Sequence, residues 1–594
     1  MAVARRAWLA ACLLCVAPVL QATELVSDPA GLGEDERARA QAVVQGLAER
    51  LPGGLRDALP AQVPVHWTDA LPGHVAGRAF AGQLRLQRAL LAGEGDAGLR
   101  RLQAALVHEL VHVADRAPAG RWSRDPRLRE LAGWQRRPWK LGRSANHFSD
   151  RSPDAYELES AAEYLAVNSE HWLLDDDFAC RRPALAAWLD HALGPRPAPT
   201  VSCASTVPLL QAGDEEGAVE LLQLDPARVH AVDYLFAEGG QVAMSRWGHS
   251  MLRLVICREG REPGPACRLD LDQHRVLSFR AFVGDVELSS WRGLTGGYPS
   301  RLFVLPLQQV VDEYTKVEQR GLASIPLQLS PRQIAGLLER TAQVHWSYDG
   351  RYYFVSNNCA VETAKLLQAG VPALQEPGIE RFSPSGLRRR LGRLGMLDES
   401  VLDDRAKAIR DGFYFESSDT HYEVLFAAAK AQLALPAKDA AAWIKLDASA
   451  RAPWLTQGGM RATAGLLLLE QAAFGRAELR ARDRLKRQLL KQPDSEGARN
   501  LQVLLQQSGQ WLRPGAMLEG GGYGLPQGEE LGRLQPHLAA FSEHSPQAWK
   551  QLRERMRQSL PQAQRDELEQ LEANLDVLGK HLRRQAAPMP AAED

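Results

Sequence analysis

Residues 30–193 read as mainly helical, and the chain reads as helical again from about residue 395 to its end. The clearest stripe is Leu568, Leu571, Leu575, Leu578 and Leu582, whose spacing of three and four makes one apolar packing face. Between residues 228 and 310 the pattern changes. Short runs rich in Val, Leu, Ile and Phe appear at Val229–Leu235, His249–Cys257, Val276–Val283 and Leu302–Leu305, with turn residues between them, as expected of strands. Helices are predicted at Ser330–Val344 and Ala360–Ala369. The proline-rich Gly194–Thr200 marks a domain edge, and the Gly-rich Glu519–Gly528 interrupts the last helical region. The pattern predicts an α+β multidomain chain. Its parts are a helical domain over 23–200, an α+β domain over 206–394 and an all-α domain over 395–594.

Length agrees, since 594 residues at about 100–200 per domain suggest three or four domains. A formal net charge of −1 excludes a general nucleic-acid binder, and 45% hydrophobic with 24% charged residues excludes a mostly disordered chain. Arg5 and Arg6 precede an apolar run, Ala7 to Leu20, that reads as a secretory signal over 1–22 with cleavage after Ala22. The run is short for a membrane span, and the next candidate, Gly465–Ala473, is interrupted by Glu470. The expectation is an exported, soluble, periplasmic protein.

That compartment gives the cysteines meaning. Of seven, Cys12 and Cys15 leave with the signal. Proximity suggests Cys180–Cys203 and Cys257–Cys267 as disulfides. Cys359 is left over, as an intermolecular link, a buried thiol or a reactive one.

Two constellations carry chemistry. The first is His108-Glu109-Leu110-Val111-His112, in a helical stretch. Residues four apart share a helix face, so both imidazoles can reach one zinc ion while Glu109 serves as general base. The stretch ELESAAEYLA (157–166) resembles the second helix of the gluzincin metallopeptidases. By that resemblance Glu159 is the third zinc ligand and Glu163 the carboxylate behind a ligating histidine, with Glu157 as the competing ligand. The N-terminal domain is then zincin-like.

The second is His249, which introduces a strand, and Cys359, where an extended run gives way to a helix ending near Gly370. A cysteine at a helix start feels the positive end of the dipole, which favours thiolate. His249 is the candidate base, and Asn357 and Asn358 are candidates to cap the helix or donate to an oxyanion.

WGHSMLRL, LSFRAF, GLTGGYPSRLFVLP and YYFVSNNCAVE together resemble the N-terminal periplasmic domain of Lnb, a family of bacterial lipoprotein N-acyltransferases, over residues 230–375. The order of the histidine strand and the cysteine helix also resembles circularly permuted papain-like folds. These resemblances imply thiol-based acyl transfer or amide or ester hydrolysis, with Cys359 as nucleophile and His249 as base. The expected substrate is an envelope lipid, lipoprotein or peptide. For a third residue the sequence offers only His274 and Asp285. No membrane-spanning region follows the domain, unlike in the acyltransferase. The alternatives are a zinc metallopeptidase and a non-enzymatic envelope scaffold. The basic stretch Arg476–Lys491, with Leu479, Leu485, Leu489 and Leu490 as its apolar side, is a candidate peripheral membrane contact, and the loop Trp291–Pro299 a candidate groove border.

Overall fold

A computed structural model describes residues 23–133, 146–196, 201–212, 219–240, 247–281, 298–353, 357–375, 378–381, 383–491, 513–518, 522–558 and 560–586. The signal segment, Asp285 and most of the Trp291–Pro299 loop lie outside these residues, as do the side chains of Leu485, Leu489 and Leu490. The chain forms two compact units. One comprises the residues up to Arg129 with Glu159–Asp176 and Leu185–Thr200, the other Glu130–Leu158, Asp177–Ala184 and Val201–Asp594. Two segments of the 23–200 stretch therefore cluster with the second unit.

The first unit is mainly helical, as its sequence reads, and it also carries a small sheet that the sequence pattern does not show. It holds β1 (Glu24–Ser27), β2 (Gln62–Thr68), β3 (Gly77–Phe80) and β4 (Gln83–Gln87) in the order β1-β2-β4-β3. β1, β2 and β4 run parallel, and β3 closes the edge antiparallel to β4. In β2, Val63, Val65 and Trp67 alternate inward with Gln62, Pro64, His66 and Thr68 outward, the period of a half-buried strand. Ala81 and Gly82, both at positive φ (50° and 81°), make the two-residue turn that joins β3 to β4. The helices that matter here are α1 (Glu34–Arg50), α2 (Gly95–Arg116) and α3 (Ala161–Leu174).

The second unit is built on a nine-stranded mixed sheet. Its strands are β5 (Val207–Ala212), β6 (Val219–Leu224), β7 (Val229–Ala237), β8 (His249–Ile256), β9 (Arg275–Ala281), β10 (Tyr298–Pro306), β11 (Leu322–Pro326), β12 (Gly350–Tyr352) and β13 (Tyr414–Phe415). The order is β13-β11-β7-β8-β9-β10-β5-β6, with β12 also on β10, and only β10–β5 is parallel. The four expected strands are present within a few residues. Two helices, α4 (Pro331–Ser347) and α5 (Cys359–Gly370), pack their apolar sides with Tyr234, Leu252, Leu254 and Phe279 in the largest core. The opposite face of the sheet carries Leu235, Met251, Val276 and Tyr314.

That opposite face also buries charge. Asp233 accepts both terminal nitrogens of Arg268 (2.6 and 2.8 Å) and the Ser324 hydroxyl (2.7 Å). Arg253 gives hydrogen bonds to Ser324 (3.0 Å), Gly412 O (2.6 Å) and His274 Nδ1 (2.9 Å). Asp233, Arg253 and His274 are fully buried. Both expected disulfides are formed, and Cys359 is the free cysteine among the described residues.

The last two hundred residues are not a separate all-α domain. β13 joins the sheet, and Leu525, Leu534 and Leu538 enter its main core, the last two from helix Gly528–Gln558. The remainder is helical: α6 (Ser418–Lys430), α7 (Met460–Lys491) and α8 (Gln562–Ala586) share one core. Leu568, Leu571 and Leu578 are buried there, so the leucine stripe is a packing face. Glu470 interrupts the apolar run of α7 because it is the buried partner of Arg451 (2.8 and 3.0 Å) and Asn574 (2.7 Å). No helix of the described residues is long and apolar enough to cross a membrane.

Two buried histidines of this unit are fixed as neutral rings. His345 Nε2 accepts from Leu210 N–H (3.0 Å) while its Nδ1 faces Leu302 O. His274 accepts from Arg253 and donates to Cys267 O (2.9 Å). Burial pulls each pKa down to about 4. Below the ordinary value of 6.5 the unfolded chain binds protons that the folded one refuses, so stability falls as pH falls. Stability should therefore begin to fall below about pH 6.5, fall most steeply midway to about 4 and level off below that, these two rings together contributing up to about 2.7 kcal/mol per pH unit. Denaturant titrations at pH 7, 6 and 5 check this, and a flat profile would contradict it.

Candidate functional site

In the first unit, α2 brings His108 and His112 to one face, as the spacing predicts. The carboxylate that meets them is Glu163, not Glu159. Ser160 caps α3 by accepting from Glu163 N–H, so the helix begins after Glu159, which stays exposed. Glu163 then lies in the first turn and faces α2. Its Oε2 is 3.2 Å from His108 Nε2 and 3.0 Å from His112 Nε2, and the two Nε2 atoms are 3.1 Å apart. Glu170, seven residues on, takes the orienting role expected of Glu163, with its Oε1 2.6 Å from His108 Nδ1. The competitor Glu157 is buried and held by Arg182 at 2.8 and 2.9 Å, which removes it as a ligand.

The three donor atoms form a triangle that could hold a metal ion. In a tetrahedral zinc site with bonds of about 2.0–2.1 Å, ligand atoms lie about 3.3 Å apart, close to the edges found here. The electrostatics suit a cation. Burial opposes charge on His108, but Glu163 and Glu170 carry its pKa up to about 10. Burial likewise opposes charge on Glu163, yet the two imidazoles bring it down to about 2. Glu109 is buried beside them, and burial pushes its carboxyl up. Gly77 on edge strand β3 makes room for it, since a Cβ there would lie 2.8 Å from Glu109 Cγ.

In the second unit, Cys359 is the first residue of α5. Asn358 Oδ1 caps that helix, accepting from Ala360 N–H (3.0 Å) and Val361 N–H (3.3 Å). Asn357 is committed too. Its amide donates to Arg351 O (2.7 Å) and Glu362, and its oxygen accepts from Lys365. Neither side-chain oxygen is therefore spare, and both residues act on the helix and the turn before it. The expected thiolate is not what the surroundings favour. Burial pushes the Cys359 thiol up, against the N–H groups of Ser250 and Ala360 and the hydroxyls of Ser250 and Tyr352, which pull it down.

The β8–β9 ladder pairs only Leu252–Leu254 with Arg275–Leu277. Beyond its end, Ser250 N–H serves the sulfur and the neighbouring His249 ring reaches Ser278 Oγ at 3.2 Å. Ser278 also accepts from Arg280 Nε (3.2 Å), and Arg280 forms a two-armed pair with Glu313 (3.1 and 2.8 Å). Tyr314 stacks on the His249 ring, centroids 6.0 Å apart, and is close enough to Cys359 to feel a charge formed there. Burial first, then Arg280 and Arg320, pull the His249 pKa down to about 3. Thiol and imidazole thus share neighbours, each held neutral, with the ring's hydrogen bond going to Ser278. His274 belongs to the ionic cluster around Arg253 instead. Sequence reasoning missed Glu170, Ser250, Ser278, Tyr314 and Tyr352. Only Glu170 carried a signal, at helical spacing from Glu163.

Residues 218–392 match the family model of the Lnb N-terminal periplasmic domain, which includes His249 and Cys359. Residues 24–124 and 120–202 match a domain of unknown function (DUF7844), which spans His108, His112 and Glu163. No curated protein and no solved structure matches the chain. The matched periplasmic family and the two disulfides agree with a periplasmic location.

Metal analysis distinguishes the two carboxylates. Glu163→Gln should abolish retention of zinc on dialysis, whereas Glu159→Gln should retain it. Loss of the orienting carboxylate in Glu170→Gln should weaken zinc affinity by about 10–100-fold.

Proposed function

We propose that the second unit is a thiol acyl-transfer centre with Cys359 as nucleophile. The observation that carries this reading is the free cysteine on the first residue of a capped helix, against the Ser250 N–H, within the segment that matches the Lnb periplasmic domain. Because both groups rest neutral, deprotonation and attack go together. The thiol proton passes to His249 as sulfur bonds to the acyl carbon. Collapse breaks the bond from that carbon to the leaving oxygen or nitrogen, which takes the proton back from the imidazolium. The thioester is then resolved by water or by an amine. The substrate class is an acyl ester or amide of the envelope, in a lipid, lipoprotein or peptide.

The test uses p-nitrophenyl acetate as acyl donor and intact mass as readout. Wild-type protein should gain one hydroxylamine-labile acetyl group, and Cys359→Ala none. His249→Ala should slow acylation by about 10²–10⁴. An undiminished adduct in Cys359→Ala sinks the reading.

The triangle of His108, His112 and Glu163 favours a second activity in the first unit, zinc-dependent hydrolysis of peptides. Zinc held by these three would supply a Lewis acid and lower the pKa of bound water. Glu109, buried beside the two histidines with its carboxyl pushed up by burial, would receive that proton. Glu109→Gln should keep its zinc and lose hydrolysis of denatured casein. Equal hydrolysis by both proteins would refute the second activity.

A further inference from the structure

We propose that Ser278 is the positioning residue of the thiol centre, its hydroxyl oxygen receiving Nε2–H of His249 and so leaving Nδ1 to take the thiol proton. This rests on the thiol reading and supplies its third member. A neutral imidazole has one N–H and one lone pair, and a base is useful only if the lone pair lies on the nitrogen that meets the acid. His249 Nε2 is 3.2 Å from Ser278 Oγ. That oxygen has two lone pairs, and Arg280 Nε, which can only donate, occupies one at 3.2 Å. The other is available to Nε2–H. The opposite tautomer would leave a proton on Nδ1 and no acceptor for the thiol.

The arrangement is built, since Ser278 is fully buried and both its partners are held in turn. Glu313 grips the far side of the Arg280 guanidinium at 3.1 and 2.8 Å. The next residue, Tyr314, covers the face of the His249 ring. Both come from the π-helical turn Glu313–Val317, a wide turn that recurs at functional sites. One turn therefore sets the ring's face and anchors the group that fixes its edge. The charged and titratable groups that act on the ring are Arg280 from β9 and Arg320 ahead of β11, with Tyr314 from the π turn stacked on its face. Tyr314 in turn faces Glu313 and Glu318, and it interacts with Cys359 from α5 and with Tyr352 from β12.

The test is the rate of carbamidomethylation of Cys359 by iodoacetamide in the full chain from pH 5 to 9, followed by the mass of its peptide. Ser278→Ala should slow the reaction at pH 7 by what one hydrogen bond supplies, about five- to tenfold. It should also move the half-rise of the profile to higher pH, and Ser278→Thr, which keeps the hydroxyl, should restore both. His249→Gln should be at least as slow, with no further loss in the double variant. A wild-type rate and profile for Ser278→Ala beside a slow His249→Gln overturns the role of Ser278 alone. A wild-type profile for His249→Gln overturns the dyad as well. Should Ser278→Ala fail to fold, the isosteric pair Ser278→Thr and Ser278→Val carries the comparison, and equal rates for that pair overturn the proposal.

Discussion

The alternation of β8 governs the second unit. Leu252, Leu254 and Ile256 point into the core shared with α4 and α5, while Met251 and Arg253 point to the other face. A one-residue slip would place Arg253 among the leucines and strand Asp233 without its neighbours, so the register is strongly specified. Because the ladder with β9 stops at Leu252, the first residues of β8 are released from it. His249 and Ser250 are those residues, and they lie where α5 delivers Cys359. There β8 still pairs with β7 but no longer with β9, so the Ser250 N–H is left to meet the sulfur.

The same residue type behaves oppositely in the two units, and the cause is the charge around it. His108 meets Glu163 and Glu170, so burial there is outweighed and the ring holds a proton to about pH 10. His249 and His274 meet arginines instead, so burial and charge act together and both rings stay neutral. The carboxylate-rich cluster calls for a cation, a proton or a metal ion. The arginine-flanked ring calls for none and rests neutral.

Much of this was legible from residue spacing. Helical spacing put His108 and His112 together, and β-rich runs found β7 to β10 because their apolar residues are dense. The first sheet was not legible, because β2 contains Pro64 and His66, and β3 and β4 have only four and five residues. Glu159 and Glu163 are equally acidic in sequence, and only the cap at Ser160 decides which of them faces the histidines. The two asparagines looked like donors, but Asn358 is consumed by free N–H groups at the helix start and Asn357 by Glu362 and Lys365. Ser278 had no signal at all. A lone serine in LSFRAF acquires meaning only from Arg280 beside it and His249 across the strand gap.

The raised pKa of Cys359 also bears on its survival. A free thiol in a compartment that makes disulfides is lost through its thiolate, which is the form that attacks and is oxidised. Cys180, Cys203, Cys257 and Cys267 are already paired, so exchange would have to begin at Cys359. Burial keeps that thiol protonated and leaves it only 5% exposed. The helix dipole and the surrounding N–H groups would stabilise negative charge once it formed on the sulfur. On the proposed reading, protection at rest and reactivity during attack would follow from the same arrangement, with His249 as the group that connects them.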